Sequence, residues 1–329
     1  MPSGIVRIGV MGCANIAKRS MIPAIKCLDN MFELVAIASR DYSTALVFAE
    51  EFNCEAVEGY AELLLREDID AVYIPLPTGL HLEWIRKALE HGKHVYSEKS
   101  FALTYKDSEY LVNLAQSRGL ALMEGYMFLY HHQQDKVRQL LNDGVVGKVR
   151  HFSGAFGFPP LPDDNFRYDA SVGGGVLMDA AGYPLRAAYA ILGDDITVKA
   201  ATMFYDSCVG TEIWGSAFLS DNDGVGVSIA FGFDNFYQCR YEIWGVKGKI
   251  SVDRAYTAGP GFSPSIVIER SEDRQVINIE PDNHFEKSMS EFYRVINNQS
   301  CHKKHYKQIL IQSNGLEKIR ELALLEKEK

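Results

Sequence analysis

Near the amino terminus, the run Gly9-Val10-Met11-Gly12-Cys13-Ala14-Asn15-Ile16-Ala17 puts small residues between an apolar strand and an amphipathic segment. Small residues at such a junction let backbone amides approach a pyrophosphate at the positive end of a helix. The pattern departs from GxGxxG, since Ala14 stands where a second glycine is common, and a tight turn needed only for packing would also use these residues. Gly9, Gly12, Cys13, Ala14, Asn15 and Ile16 are therefore candidate dinucleotide contacts. The next strand ends Ala38-Ser39-Arg40. A hydroxyl and a guanidinium suit a ribose 2′-phosphate, which favours NADP over NAD. Asp41 follows at once and would reverse that preference if its carboxylate pointed inward. Further on, Pro75-Leu76-Pro77-Thr78-Gly79-Leu80-His81 and Ser97-Glu98-Lys99-Ser100 close two more strands at the edge where open α/β sheets bind ligands. Leu76, Pro77, Thr78, His81, Glu98 and Lys99 join the candidates, although His81 also fits a helix residue facing water and spacing alone makes Lys99 a surface cation.

The elements that must position these groups follow from periodicity. Apolar runs VRIGVM, ELVAIAS, AVYIPLP, KHVYSE and LALMEGY, with a weaker one near CEAV, alternate with helical spacings in TALVFAEEF, HLEWIRKALEHG and SEYLVNLAQSRG. This rhythm predicts a doubly wound α/β Rossmann-type dinucleotide-binding domain over residues 1–126. Beyond it comes a helix at 133–141, the strand KVRHFSGAFGF, a Pro- and Asp-rich loop, and a glycine triplet opening an apolar helix. Seven strands without intervening helices then precede two closing helices. An α+β domain with a large open, mainly antiparallel sheet is expected over residues 127–329. At 329 residues the chain is long enough for both. Phe152, Phe156 and Phe158 alternate as a sheet face packed in the core, and secondarily as a sugar platform.

Composition narrows the function. With 34 Lys and Arg against 43 Asp and Glu, the formal charge of −9 has the wrong sign for general binding to nucleic acid or an anionic membrane. No apolar run approaches the roughly 20 residues of a membrane span. The opening residues run straight into a strand without the pattern of a signal peptide. Six cysteines scattered without a CxxC pair read as reduced thiols, so a cytoplasmic protein is expected. Cys301, His302 and His305 make a CHxxH cluster, but with no second ligand pair a solvated loop is expected there and no metal.

Taken together, GVMGCANIA, IASR, VYIPLPTGLH, the Glu98-Lys99 pair and GGGVLMDAAGYP resemble the Gfo/Idh/MocA family of oxidoreductases. Within it, EGY before LLL, LMEGYMFLYHH, FRYD and RYEIWG are most similar to the NADP-dependent C-3 ketoreductases of dTDP-deoxysugar biosynthesis. The resemblance covers nearly the whole chain. It implies that Lys99 is the family's EKP lysine and that Tyr183 is the catalytic residue ending GGGxxxDxxxY, with Asp179 preceding it. Residues 179 and 183 on one helix share a face, so a carboxylate and a phenol can point at one ligand. The resemblance also implies that Arg167, in the FRYD loop, covers cofactor phosphates. Ser100 departs from the family by replacing the proline after the lysine, a proline that would have kept Lys99 out of the helical region. His131 and His132 stand just past the domain junction and read first as structural histidines.

The expected activity is thus reduction of a keto-sugar by NADPH. Tyr183 is the expected proton donor, Lys99 the cation that favours its anion, and Asp179 the group that orients the lysine or a sugar hydroxyl. A free phenol, with a pKa of roughly 10, needs such help at neutral pH. Two alternatives remain at this stage: an NADP-dependent pyranose or dihydrodiol dehydrogenase, and a non-catalytic NADP-binding sensor. A sugar or sugar-nucleotide substrate and a homodimer or homotetramer formed through the second-domain sheet complete the expectation.

Overall fold

The computed structural model describes residues 4–325. The described residues form two compact units: the chain up to Gly125 together with Phe285–Ser313, and Tyr126–His284 together with the chain from Asn314 onward. Residues 285–313, expected with the second domain, thus group with the first.

In the first unit, β1 (Val6–Met11), β2 (Phe32–Ser39), β3 (Glu55–Glu58), β4 (Ala71–Ile74), β5 (His94–Ser97) and β6 (Leu122–Glu124) form a parallel sheet in the order β3-β2-β1-β4-β5-β6. Its helices include α1 (Ile22–Cys27), α2 (Tyr42–Phe52), α3 (Tyr60–Leu65), α4 (His81–Glu90) and α5 (Tyr105–Arg118). Strands covered on both faces must be apolar almost throughout, and β4 is buried at every residue. The order reverses between β1 and β4, and the carboxyl ends of the strands at that reversal are where a ligand of such a sheet belongs. Two signals bound the helices: Gly119, left-handed at φ 65°, ends α5, and Asp41 caps the start of α2.

The returning segment covers this sheet. Phe292 of α8 (His284–Asn297) stacks on Phe32 with centroids 6.5 Å apart and meets Tyr96 edge-on at 5.5 Å. The Tyr96 hydroxyl lies 2.7 Å from Ser288 Oγ, and Tyr306, early in the long last helix α9 (His302–Leu325), donates to the Leu120 carbonyl. The CHxxH cluster belongs to this packing rather than to a solvated loop. Cys301, His302 and His305 are buried, with Arg294 donating to Cys301 Sγ at 2.8 Å, His302 Nε2 3.0 Å from the Val295 carbonyl and His305 Nε2 2.9 Å from Glu291.

The second unit is built on β7 (Val149–Gly157), β8 (Thr197–Asp206), β9 (Thr211–Ser220), β10 (Gly226–Gly232), β11 (Gln238–Gly245), β12 (Lys249–Asp253), β13 (Ser265–Arg270) and β14 (Asp273–Asn278). Their order is β14-β13-β12-β11-β7-β10-β9-β8, antiparallel except where β7 runs beside β10. One face packs under α7 (Gly182–Leu192), while α6 (His132–Asn142) precedes the sheet in the chain. The other face is open: β9 alternates buried and exposed residues, and Trp214 and Phe218 stand on its outer side.

Candidate active site

At the carboxyl end of β1 the chain turns through Gly12 and enters a helical run at Asn15. Gly12 has φ +122°, and a Cβ there would lie 2.9 Å from the Leu76 side chain. Only glycine lets the turn and the Leu76 loop close on each other. The Gly12 amide is tied back to Ala38 O at 2.9 Å, leaving the following residues to open toward the helix amino terminus. Cys13, Ala14 and Ile16 are half-buried there and Asn15 is exposed. The small residues of this cradle, with a helix amino terminus directly behind, fit a dinucleotide pyrophosphate. Burial pushes the Cys13 thiol up to about 11, so it adds no negative charge to the turn near neutral pH. Gly9 plays a different part: it lies inside β1, and its missing side chain admits Ile69 and Leu63 at 3.0 and 3.2 Å. Its small size is therefore required by core packing, whatever approaches the turn beyond it.

Ser39 ends β2 and Arg40 follows it, exposed and near Tyr60 at the start of α3. Ser39 Oγ accepts from the Asp41 amide at 3.3 Å. The Asp41 carboxylate turns to α2, where it accepts from the amide and hydroxyl of both Ser43 and Thr44.

Leu76, Pro77 and Thr78 form the loop after β4. His81 lies behind them, fully buried, with Nε2 2.8 Å from the Leu76 carbonyl and Nδ1 2.8 Å from the Ser100 carbonyl. It was expected beside the cofactor or in water. Instead its ring ties the Leu76 loop to the segment carrying Lys99, and burial lowers its pKa. Glu98 Oε1 accepts from the Tyr73 hydroxyl at 2.8 Å, and Glu124 Oε1 accepts from the Phe101 amide at 2.9 Å, so two carboxylates brace the chain on either side of half-buried Lys99. The Lys99–Ser100 peptide bond is cis.

In the second unit, Asp179 lies in a π-helical turn, Leu177–Ala181, that runs into α7, where Tyr183 is the second residue. Interruptions of this kind are frequent at functional sites. The Tyr183 ring is nearly buried among Tyr126, Phe128, Phe156 and Tyr256, with centroids 5.7, 6.0, 4.7 and 5.8 Å away. Of that cage, sequence reading singled out only Phe156. Tyr126, Phe128 and Tyr256 come from a domain junction and a loop, where no period marks a face.

Arg167 donates from Nε to Asp179 Oδ2 at 2.8 Å. Its guanidinium, expected to cover cofactor phosphates, is thus paired with the carboxylate four residues before Tyr183. The glycine triplet makes this possible: the Gly175 amide donates to Arg167 O at 2.8 Å, and a Cβ on Gly175 would meet Glu212 Oε1 at 2.5 Å. His131 accepts the Gln133 amide at the start of α6, and His132 lies 3.3 Å from Asp282. Both make structural contacts.

Comparison with known proteins agrees with the geometry. Residues 6–126 match the model described as "Oxidoreductase family, NAD-binding Rossmann fold", and 135–251 match the GFO/IDH/MocA C-terminal domain. A dTDP-3,4-didehydro-2,6-dideoxy-alpha-D-glucose 3-reductase of Saccharopolyspora spinosa is 44% identical over 88% of this chain and 87% of its own. A D-xylose 1-dehydrogenase (NADP(+)) of Haloferax volcanii is 30% identical over 88% of each chain. Among solved structures, a 3-ketoreductase of Actinomadura kijaniata in complex with NADP and TDP-benzene superimposes with a TM-score of 0.94 at 37% identity, over 97% of this chain and 98% of that one. The same protein has been solved with a tyrosine replaced by phenylalanine and with a lysine replaced by alanine.

Proposed function

The chain belongs to the Gfo/Idh/MocA oxidoreductase family, and from that membership we propose that it reduces the C-3 ketone of a dTDP-linked deoxysugar with NADPH. NADPH, when bound, supplies a hydride to the carbonyl carbon and leaves as NADP+, while the carbonyl oxygen is left needing one proton. The Tyr183 hydroxyl gives that proton and takes one back from solvent. Lys99 favours the tyrosinate and the developing charge on oxygen through its ammonium group. Asp179, held by Arg167, orients the substrate side of the site. The turn from Gly12 to Ile16 receives the pyrophosphate, Ser39 and Arg40 receive the 2′-phosphate, and Leu76, Pro77 and Thr78 line the nicotinamide side.

One observation carries this reading. The substituted lysine and tyrosine of the Actinomadura kijaniata 3-ketoreductase stand the same number of residues apart as Lys99 and Tyr183, in a chain that superimposes over nearly its full length. This supports giving the two roles to Lys99 and Tyr183.

A homodimer or homotetramer forms through the open face of the second sheet. Phe204, Trp214, Phe218 and Trp244 are each more than two fifths exposed on it, with Phe204 stacked on Trp214 at 5.6 Å. Rows of large aromatics on an uncovered sheet favour association. Use of NADPH and the dispersed thiols favour a cytoplasmic enzyme.

The deciding assay follows the loss of NADPH absorbance against keto-sugars with and without a dTDP group, and the reverse reaction against free pyranoses. Turnover confined to dTDP-linked ketones is expected. Turnover confined to the oxidation of free sugars would replace this reading with that of a pyranose dehydrogenase.

A further inference from the structure

Two residues past the strand that reads the ribose, Asp41 stands where an acidic side chain ordinarily selects NAD by accepting from the 2′-hydroxyl. Its carboxylate is committed elsewhere. Oδ2 accepts from Thr44 Oγ1 at 2.6 Å, from Ser43 Oγ at 2.7 Å and from the Thr44 amide at 3.2 Å, while Oδ1 accepts from the Ser43 amide at 3.2 Å. The backbone pair is what any amino-terminal cap makes, whereas the two hydroxyls are additional and shorter. Both recruit the same carboxylate to α2, whose amino terminus favours its negative charge. These hydrogen bonds, Thr44 first and then Ser43, hold the carboxyl below its ordinary range, so it stays ionised and capped.

The same turn prepares the opposite selectivity. Ser39 Oγ accepts from the Asp41 amide and keeps a proton of its own, which the neighbouring Cys13 thiol shares and a ligand oxygen can take. Arg40 lies exposed between Ser39 and the cap. We infer that Ser43 and Thr44 are the specificity-determining positioning residues for the nucleotide: their hydroxyls withhold Asp41 from the ribose, so that Arg40 and Ser39 meet a 2′-phosphate unopposed by a carboxylate. This deepens the proposed use of NADPH and rests on it.

Fluorescence titration of the full-length protein with NADPH and NADH tests it without reference to turnover. Three proteins are compared: the natural chain, Ser43→Ala/Thr44→Val, and the same pair with Asp41→Asn. The natural chain binds NADPH more tightly. In the double variant the ratio of NADPH to NADH affinity falls about tenfold, as a charged hydrogen bond to the ribose and repulsion of the phosphate predict. Adding Asp41→Asn restores the NADPH preference, because asparagine caps as well as aspartate and carries no charge. A folded double variant with an unchanged ratio overturns the inference while leaving the cofactor reading intact. Tighter binding of NADH by the natural chain overturns the cofactor reading itself. Should thermal unfolding show the double variant misfolded, Thr44→Val alone removes the shortest of the four bonds and must shift the ratio in the same direction, or the inference fails.

Discussion

Arg167 and Asp179 form a half-buried ion pair, Nε to Oδ2 at 2.8 Å, with Asp179 four residues before the phenol proposed to deliver the proton. The pair fastens the loop at 165–169 to the π-helical turn leading into α7. Arg167→Gln removes a charged hydrogen bond and is expected to cost about 1–2 kcal/mol of stability. It should also lower kcat more than it raises the Kd for NADPH, because the lost contact lies on the substrate side. Urea unfolding and steady-state kinetics check both.

Tyr183→Phe keeps the ring within its aromatic cage and removes only the hydroxyl. Turnover is expected to fall by roughly 10²–10⁴, the range of a lost general acid, with NADPH affinity and melting temperature little changed. Unchanged turnover in a stopped-flow NADPH assay would remove Tyr183 from the mechanism.

His81→Phe fills the same buried volume but strips two buried carbonyls, those of Leu76 and Ser100, of their ring contacts. A loss of about 2 kcal/mol is expected. NADPH binding weakens as well, since both the Leu76 loop and the Lys99 segment loosen. Calorimetric unfolding and fluorescence titration read the two effects.

Acid should weaken the first unit in a defined window. Burial holds His94 down to about 4, with His302 adding to the effect and Asp70 opposing it, while the ring accepts the Ala121 amide at 2.9 Å. Unfolded, it titrates near 6.5. The unfolded chain therefore binds more protons between these values, and stability falls on acidification from about pH 6.5 toward 4 by up to about 1.4 kcal/mol per unit. His94→Asn supplies an acceptor without a titrating ring and should flatten urea-unfolding free energies across that window.

Trp214→Glu places a charge on the open sheet beside Phe204. Sedimentation of the natural chain is expected to show a dimer or tetramer, and that of the variant a monomer with unchanged NADPH binding.

The sequence made much of this legible, for physical reasons. Strands buried on both faces carry unbroken apolar runs, so β1, β2, β4 and β5 stand out, and the turn at Gly12 is marked by residue size alone. Lys99, Asp179 and Tyr183 are put forward by family resemblance and not by periodicity. What escaped were contacts set by the tertiary fold. Gly9 shares the look of a phosphate-turn glycine, yet it packs on Ile69 and Leu63 from across the layer. Arg167 carries the charge of a phosphate ligand, and only the folded loop shows it turned to Asp179. His81 and the CHxxH histidines read as surface groups because no periodicity reports which carbonyl or carboxylate a buried imidazole will meet.

The cover that Phe292 and Ser288 lay over Phe32 and Tyr96 is contributed by a helix that follows every strand of both sheets in the chain. A fragment ending near residue 126 would leave Phe32 and Tyr96 uncovered, and during synthesis the nucleotide-binding unit cannot close until residues 285–313 have left the ribosome. Every strand of the second sheet, the last of them ending at Asn278, is therefore made before the nucleotide-binding unit receives this cover.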